Sequence, residues 1–364
     1  MVMPRRVAIL GTGLIGGSIG LAARRSSIEV VGYDADRSSL EAALARDAVS
    51  ELADGPEEVV AGADLVVLAT PVDLIPDLCT RIAGAVPPDA VVTDVGSAKE
   101  LVVERGVESF GPRFVGGHPM AGSERHGITA ASAELFDGAW WILTPTQEMS
   151  LEAYSMVSDL VFAVGARPVS LASSIHDALV ARLSHVPQLA ASAIVEVAAA
   201  AGNKEALLGL AGAGFRDVTR IAASEPSLWV AIVRANARSV LEGLSGLEDR
   251  ISGITSMIED GRWDDLFGFM SRAREARLEL FAKPVYTGAP VTMSMMIPDR
   301  PGVLAEVTTA AGNLGANIED LRIIHSTEGG QGRLELLIAG EGPAEALADT
   351  LRDHGYRVEY PLVD

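Results

Sequence analysis

A set of glycines at fixed spacing, Gly11-Thr12-Gly13-Leu14-Ile15-Gly16, placed directly after the apolar run Val7 to Leu10, constrains this chain more than any other feature. A strand that stops at a glycine and re-enters as a helix leaves three positions where a side chain obstructs. Gly11 allows the tight turn, Gly13 the close approach of backbone to a ligand, and Gly16 the close packing of helix on strand. N–H groups at the start of that helix, with the positive end of its dipole, suit a pyrophosphate. The pattern alone is weak evidence, but small residues continue through Ala23 and Asp34 ends the next apolar run, Val30 to Tyr33. A carboxylate there accepts hydrogen bonds from ribose hydroxyls and repels a 2′-phosphate. The expected cofactor is therefore NAD rather than NADP, with Arg37 the nearby group suited to a phosphate. Thr70-Pro71, after the third apolar run, is expected to flank the same nucleotide.

Short β-branched runs recur at Leu65 to Ala69, Val91 to Val95, Phe114 to Gly116 and Trp140 to Thr144, alternating with helical stretches. That rhythm predicts parallel βαβ units and a doubly wound α/β domain over residues 1–170. From about Leu171 to Lys283 the texture changes to long Ala/Leu/Val-rich segments, so a mostly helical domain is expected over 171–285. Lys283-Pro284 and Gly288-Ala289-Pro290 punctuate the next boundary. Over 290–364 the pattern reads strand Val291 to Ile297, helix Gly302 to Leu314, strand Ile318 to Ser326, strand Gly332 to Ile338, helix Pro343 to His354 and strand Tyr356 to Tyr360. The order βαββαβ indicates a ferredoxin-like sandwich.

Charge narrows the choice of partners. With 29 basic against 49 acidic residues the formal charge is −20, which argues against nucleic acid or an anionic membrane surface as the main partner. An anionic small substrate would need a locally basic pocket. The one cysteine, Cys79, cannot form an intrachain disulfide and reads as a small buried apolar residue in a reducing cytoplasm. The apolar run near Met1 is too short for a signal peptide, and no run of about 18 apolar residues occurs, so a soluble cytoplasmic protein is expected. No cluster has metal-ligand spacing.

Two further strand ends carry polar groups: Asp94-Val95-Gly96-Ser97-Ala98-Lys99, and Gly116-Gly117-His118-Pro119-Met120-Ala121-Gly122-Ser123-Glu124. Carboxyl ends of strands in an open parallel sheet line the ligand crevice. His118, in a loop shaped by glycines and a proline, has the right chemistry to accept an alcohol proton. His126, His176, His325 and His354 read as surface or structural histidines, and Asp177 as part of a helix start.

These segments, together with Ser184-His185-Val186-Pro187-Gln188, the run Gly214-Phe215-Arg216-Asp217-Val218-Thr219-Arg220-Ile221-Ala222, and Trp229, closely resemble the prephenate dehydrogenase family, in the family's order. One departure is Ala213, where the family often has another glycine. The resemblance implies a Rossmann domain, a helical dimerisation domain, a homodimer, and oxidative decarboxylation of prephenate to 4-hydroxyphenylpyruvate or of arogenate to tyrosine. It further implies His118 as the base on the substrate hydroxyl, with Ser97 bonding that hydroxyl or His118. Arg220 is placed on the side-chain carboxylate and His185 near the ring carboxylate. Ser123, Glu124 and Trp229 are placed around the same pocket. A planar guanidinium suits the carboxylate role, because it donates two parallel hydrogen bonds.

The C-terminal unit carries Ile297-Pro298-Asp299-Arg300-Pro301-Gly302-Val303-Leu304 and Gly315-Ala316-Asn317-Ile318, and it resembles the ACT domain family. That resemblance implies a paired regulatory domain with tyrosine as effector, held by Asp299, Gly302 and Asn317.

Overall fold

Strands that are apolar on both faces need cover on both sides, and the first sheet is built that way. Strands β1 (Arg6–Leu10), β2 (Glu29–Tyr33), β3 (Glu51–Leu52), β4 (Leu65–Leu68), β5 (Val91–Asp94), β6 (Phe114–Pro119), β7 (Trp140–Thr144) and β8 (Arg167–Ser170) lie in the order β3-β2-β1-β4-β5-β6-β7-β8. Side chains alternate between two cores. Val7, Ile9, Val30 and Val67 pack on one face with Ile19 of helix α1 (Leu14–Arg25) and Leu160 of a later helix, Leu151–Ala163. Ala8, Leu10, Val31 and Leu68 face the other, with Val59 of α3 (Pro56–Val60), Ile75 of α4 (Ile75–Ile82) and Val102 of α5 (Glu100–Phe110), while Ala43 of α2 (Arg37–Ala45) belongs to the first core. Each fully buried Val, Leu or Ile side chain contributes about 1.5–3 kcal/mol, so the two cores hold the sheet edge firmly where the loops must be placed. The structure, a computed structural model, describes residues 3–122, 126–200, 211–280, 290–298, 303–316, 318–325 and 331–360. These form two units, Met1–Gly253 and Ile254–Asp364.

The expected parallel arrangement holds for β1 to β6 and fails for the last two strands. β7 is antiparallel to β6, and β8 is parallel to β7, so both run against the other six. The cause is the connection after Pro119. Among its described residues it contains a single 3-10 turn, Ile128–Ala130, and no crossover helix, so β7 re-enters from the edge at which β6 left. Helix α6 (Leu151–Ala163) then supplies a crossover, and β8 keeps the direction of β7. The reading of the sequence omitted β3 and β8, a two-residue strand and one exposed at both ends.

Helix α7 (Ser173–Val180) opens the helical segment, followed by a π turn at Ala181–His185 and helix α8 (Val186–Ala199). Pro187 explains the turn. Its ring would press on the carbonyl four residues back, at Leu183, and a widened turn relieves that contact. Further on are helix α9 (Ala213–Thr219), a 3-10 turn (Arg220–Ala223), α10 (Pro226–Ala235) and α11 (Ala237–Glu259). By length and composition Ser173–Ala199 is apolar enough to span a membrane, a stretch that counting apolar runs did not single out. Its buried residues include the polar His176, Asp177, His185 and Gln188.

In the second unit, helix α12 (Trp263–Leu280) precedes β9 (Pro290–Pro298), α13 (Val303–Asn313), β10 (Ile318–His325), β11 (Gln331–Ala339), α14 (Glu341–Asp353) and β12 (Val358–Glu359). The sheet order is β10-β11-β9-β12 with antiparallel pairs. This is the βαββαβ sandwich expected, its core formed by Met293, Leu334, Leu336, Val307 and Leu347. The last strand is shorter than Tyr356 to Tyr360 and pairs only through Val358 and Glu359. Asp299, Gly302 and Asn317 lie outside the described residues.

Candidate active site

The glycine loop sits at the carboxyl end of β1, where the strand order reverses between β1 and β4, the crevice in which open α/β sheets hold ligands. Gly11 has φ +98, and a Cβ there would lie 2.4 Å from the carbonyl oxygen of Ala69. At Gly16 a Cβ would lie 1.9 Å from the carbonyl oxygen of Gly11 and 3.0 Å from Cγ2 of Ile9, so helix and strand touch through the missing side chain. Gly13 has nothing within 4 Å of that position, an open approach to backbone at the head of α1. Asp34 Oδ2 accepts from Thr12 N at 2.7 Å and from Thr12 Oγ1 at 3.2 Å, so this carboxylate also braces the loop. A cleft of about 410 Å³ is lined by Gly11, Gly13, Tyr33, Asp34, Thr70 and Pro71 among others. Leu14 and Ile15 begin α1. Buried Thr70 Oγ1 has no partner within the protein. An open backbone, an orphaned hydroxyl and a carboxylate at the strand end fit a dinucleotide. Arg37, the residue suited to a phosphate, is engaged by Glu41 at 3.2 Å and Asp54 at 2.8 Å.

Beneath the next two loops lies a buried ion pair. Lys99 and Asp94 are both fully buried and hydrogen-bonded to one another. Lys99 Nζ also donates to the Gly117 carbonyl at 2.7 Å. Asp94 accepts from Gly96 N at 2.7 Å and Gly117 N at 3.1 Å. These bonds tie the end of β5 to the end of β6 and shape the loops bearing Ser97 and His118. Burial pulls the Lys99 ammonium below its ordinary value, with Asp94 opposing. Gly117 is required here, since a Cβ would lie 2.6 Å from the Asp94 carbonyl oxygen. Cys79, as expected, is buried, and burial with the nearby Asp94 pushes its thiol up to about 12, far from thiolate chemistry.

His118, at the end of β6, is half-buried. Its Nδ1 lies 2.8 Å from Nε2 of His176, whose Nδ1 lies 2.7 Å from Asp177 Oδ1. The two rings meet edge-on at 71°. Of the two readings of His176, surface or structural, the structure has the buried one, and it adds a neighbour to both residues. His176 is fully buried against the proposed base, and Asp177, though inside α7, caps a different helix by accepting from Lys99 N at 2.7 Å and Glu100 N at 2.9 Å at the start of α5. The neighbour on His118 Nδ1 is thus His176 rather than Ser97, which stands half-buried between β5 and α5. Burial first, then His176, Lys99 and His185, push His118 well below its ordinary 6.5.

His185 closes the π turn and is almost fully buried, its ring 6.1 Å from that of Trp229 in a T-shaped pair. Trp229 also packs on the core beneath α4 and α5. Asn236 joins the groups. Its Nδ2 donates to the Asp177 carbonyl at 2.9 Å and stands 3.3 Å from His185 Nδ1. Burial pushes His185 down to about 4. Arg220 is exposed at the start of the 3-10 turn, which Gln188 Nε2 holds by donating to Ile221 O at 2.9 Å. A second cavity, about 430 Å³, is lined by Gln188, Ser192, Ser224, Trp229 and Arg234 among others. Ser123 and Glu124 lie outside the described residues. Lys99, His176, Asp177 and Asn236 gave no clear functional signal in sequence, although Lys99 sat within a quoted motif.

Both histidines are held neutral when folded and protonate more readily when unfolded. Below pH 6.5 the unfolded chain therefore binds more protons, and stability falls as pH drops. For His185 the loss spans roughly 6.5 to 4. Urea midpoints for the protein and a His185→Asn variant, compared across that window, should show a shallower slope in the variant; parallel slopes would refute the assignment.

Two family profiles match the chain: the nucleotide-binding domain of prephenate dehydrogenase over residues 19–170 and its dimerization domain over 172–272. The prephenate dehydrogenase of Bacillus subtilis (strain 168) is 32% identical, with 92% of each chain covered. The crystal structure of prephenate dehydrogenase from A. aeolicus in complex with hydroxyphenyl propionate and NAD+ superposes with a TM-score of 0.71 at 29% identity, covering 76% of this chain and 98% of that one. Synechocystis arogenate dehydrogenase gives 0.66 at 28%, covering 76% and 99%.

Proposed function

The chain belongs to the prephenate dehydrogenase family, and on that premise we propose that it oxidatively decarboxylates prephenate to 4-hydroxyphenylpyruvate with NAD, arogenate being the alternative substrate. The observation that carries this reading is a neutral, half-buried His118 on the same sheet edge as the nucleotide cleft. NAD binding is supported by the open Gly13, by Asp34 at the end of β2, and by the NAD+ complex of the A. aeolicus relative. Asp34 favours NAD over NADP because its charge opposes a 2′-phosphate.

A nicotinamide held there would supply the electron acceptor, taking the C4 hydrogen as hydride. His118 takes the proton from the C4 hydroxyl, and Ser97 hydrogen-bonds the same oxygen. His185 and Trp229 border the ring carboxylate, which leaves as carbon dioxide as the ring becomes aromatic. Arg220 grips the side-chain carboxylate, and Ser123 and Glu124 line the pocket. The helical segment forms a homodimer, consistent with the family's dimerization domain and with exposed Leu183, Val197 and Leu241. The C-terminal sandwich acts as an ACT domain binding tyrosine through Asp299, Gly302 and Asn317, so that the product pathway restrains its own flux.

Steady-state assays of prephenate and arogenate, each with NAD and NADP and with or without tyrosine, test the reading. Turnover of prephenate with NAD, reduced by tyrosine, is expected; failure to turn over either cyclohexadiene ends it. Arg220→Ala should raise KM about 10- to 100-fold with kcat little changed, because a hydrogen bond to a charged group contributes about 1.5–3 kcal/mol. An effect on kcat alone would remove Arg220 from the carboxylate.

A further inference from the structure

Resting on the dehydrogenase reading, we propose that a single buried network sets the two site histidines in opposite tautomers: His118 presents a bare Nε2 to accept a proton, and His185 presents an Nε2–H to donate to an anion. His176, Asp177 and Asn236 are the positioning residues.

The assignment follows from groups whose role cannot change. The Asp177 carboxylate already receives two backbone N–H groups, from Lys99 and Glu100, so toward His176 it can only accept. Nδ1 of His176, 2.7 Å away, must therefore carry its proton. In a neutral ring that leaves Nε2 of His176 bare, and the atom facing it at 2.8 Å, Nδ1 of His118, must donate. His118 is then protonated at Nδ1 and bare at Nε2. The reasoning runs the other way from the same residue. The backbone carbonyl of Asp177 only accepts, so the Asn236 atom at 2.9 Å from it is the amide nitrogen. Its second hydrogen serves His185 Nδ1 at 3.3 Å, which therefore accepts, and the His185 proton resides on Nε2.

The surroundings keep His118 and His185 neutral. Lys99 from the start of α5, His176 from α7 and His185 from the π turn face His118, and each opposes a positive charge on it. A neutral base and a neutral donor are thus prepared before substrate arrives. Electrostatic preorganisation of this kind spares reorganisation during the reaction. Reversing either tautomer would set a bare His176 Nδ1 against a carboxylate, or an N–H of His185 against one of Asn236.

Histidine 15N spectra of the full chain at pH 7, assigned through His118→Asn, His176→Gln and His185→Asn, read the tautomers directly. His118 and His176 are expected protonated at Nδ1, the form a free imidazole populates less, and His185 at Nε2. His118 protonated at Nε2, or His185 at Nδ1, would overturn the proposal. This measurement needs no substrate, so it stands or falls apart from the assigned reaction, which the absence of turnover on both cyclohexadienes would refute. Kinetics give a second arm. His176→Leu should lower kcat roughly 100- to 10,000-fold, as loss of a tautomer-setting partner does in other enzymes, with KM and NAD affinity little changed. His176→Gln, whose Oε1 reaches the place of the lost Nε2 and accepts from His118, should recover at least tenfold of that loss. Equal kcat in the two variants, or a His176→Leu rate within threefold of the parent, would reduce His176 to packing and sink the idea.

Discussion

Replacing His118 by Asn should lower kcat by roughly 100- to 10,000-fold while NAD affinity stays within about twofold, because general-base catalysis supplies about that factor and the glycine loop that holds the nucleotide is untouched. Asn can still accept a hydrogen bond, but it has no basic site to take the hydroxyl proton. The parent should keep its activity as pH falls below 6.5, since burial and three cationic or potentially cationic neighbours hold His118 below that value. Activity is lost only when pH passes through the lowered value and the ring acquires a proton. In His118→Asn that acid limb should vanish from kcat. A limb that persists unchanged, or a near-parental rate, would mean that another group takes the proton.

The largest stability effect is expected from Lys99→Met. Lys99 and Asp94 are fully buried, and the carboxylate retains only the Gly96 and Gly117 N–H groups once the ammonium is gone. Removing one member of a buried pair costs about 3–5 kcal/mol, because the remaining charge stays in a poor solvent. Methionine fills much of the volume, so the loss reports charge rather than a cavity. The double variant Asp94→Asn with Lys99→Met should regain part of the stability, since it removes the stranded charge. Urea unfolding followed by tryptophan fluorescence measures all three. A loss below about 1 kcal/mol in the single variant, or no recovery in the double, would show that the pair does not hold the two loops. Partial loss of kcat in the double variant is also expected, because the Gly117 carbonyl next to His118 loses its Nζ donor.

What could be read from sequence was what is local. Gly11 and Gly16 act through contacts with residues close in the chain or at the end of β4, so the tight turn and the close helix-to-strand packing fall where the spacing predicts them. Alternating apolar runs likewise foretold β1, β2, β4, β5 and β6. The direction of β7 was hidden because it depends on what a long connection lacks, namely a crossover helix, and apolar content inside Trp140 to Thr144 is the same in either direction. His176 and Asp177 were hidden for another reason. A histidine followed by an aspartate near the start of an apolar helix is ordinary, and only folding brings them beside His118 and the α5 terminus, 58 and 78 positions away. Trp229 packs against the core beneath α4 and α5, and His185 closes the π turn ahead of Pro187. Those positions are set by packing far from each other in sequence, and the two rings meet only in the folded chain.

The widened turn at Ala181–His185 makes the helical wall sensitive to a count as well as to the identity of His185 and Pro187. Each residue advances a helix by about 100°. Deleting one residue while Pro187 keeps the turn wide would swing everything from Val186 onward by that angle, carrying Gln188 off the carbonyl of Ile221. Away from His185 and Pro187, substitutions along this stretch are thus more tolerable than a change of length.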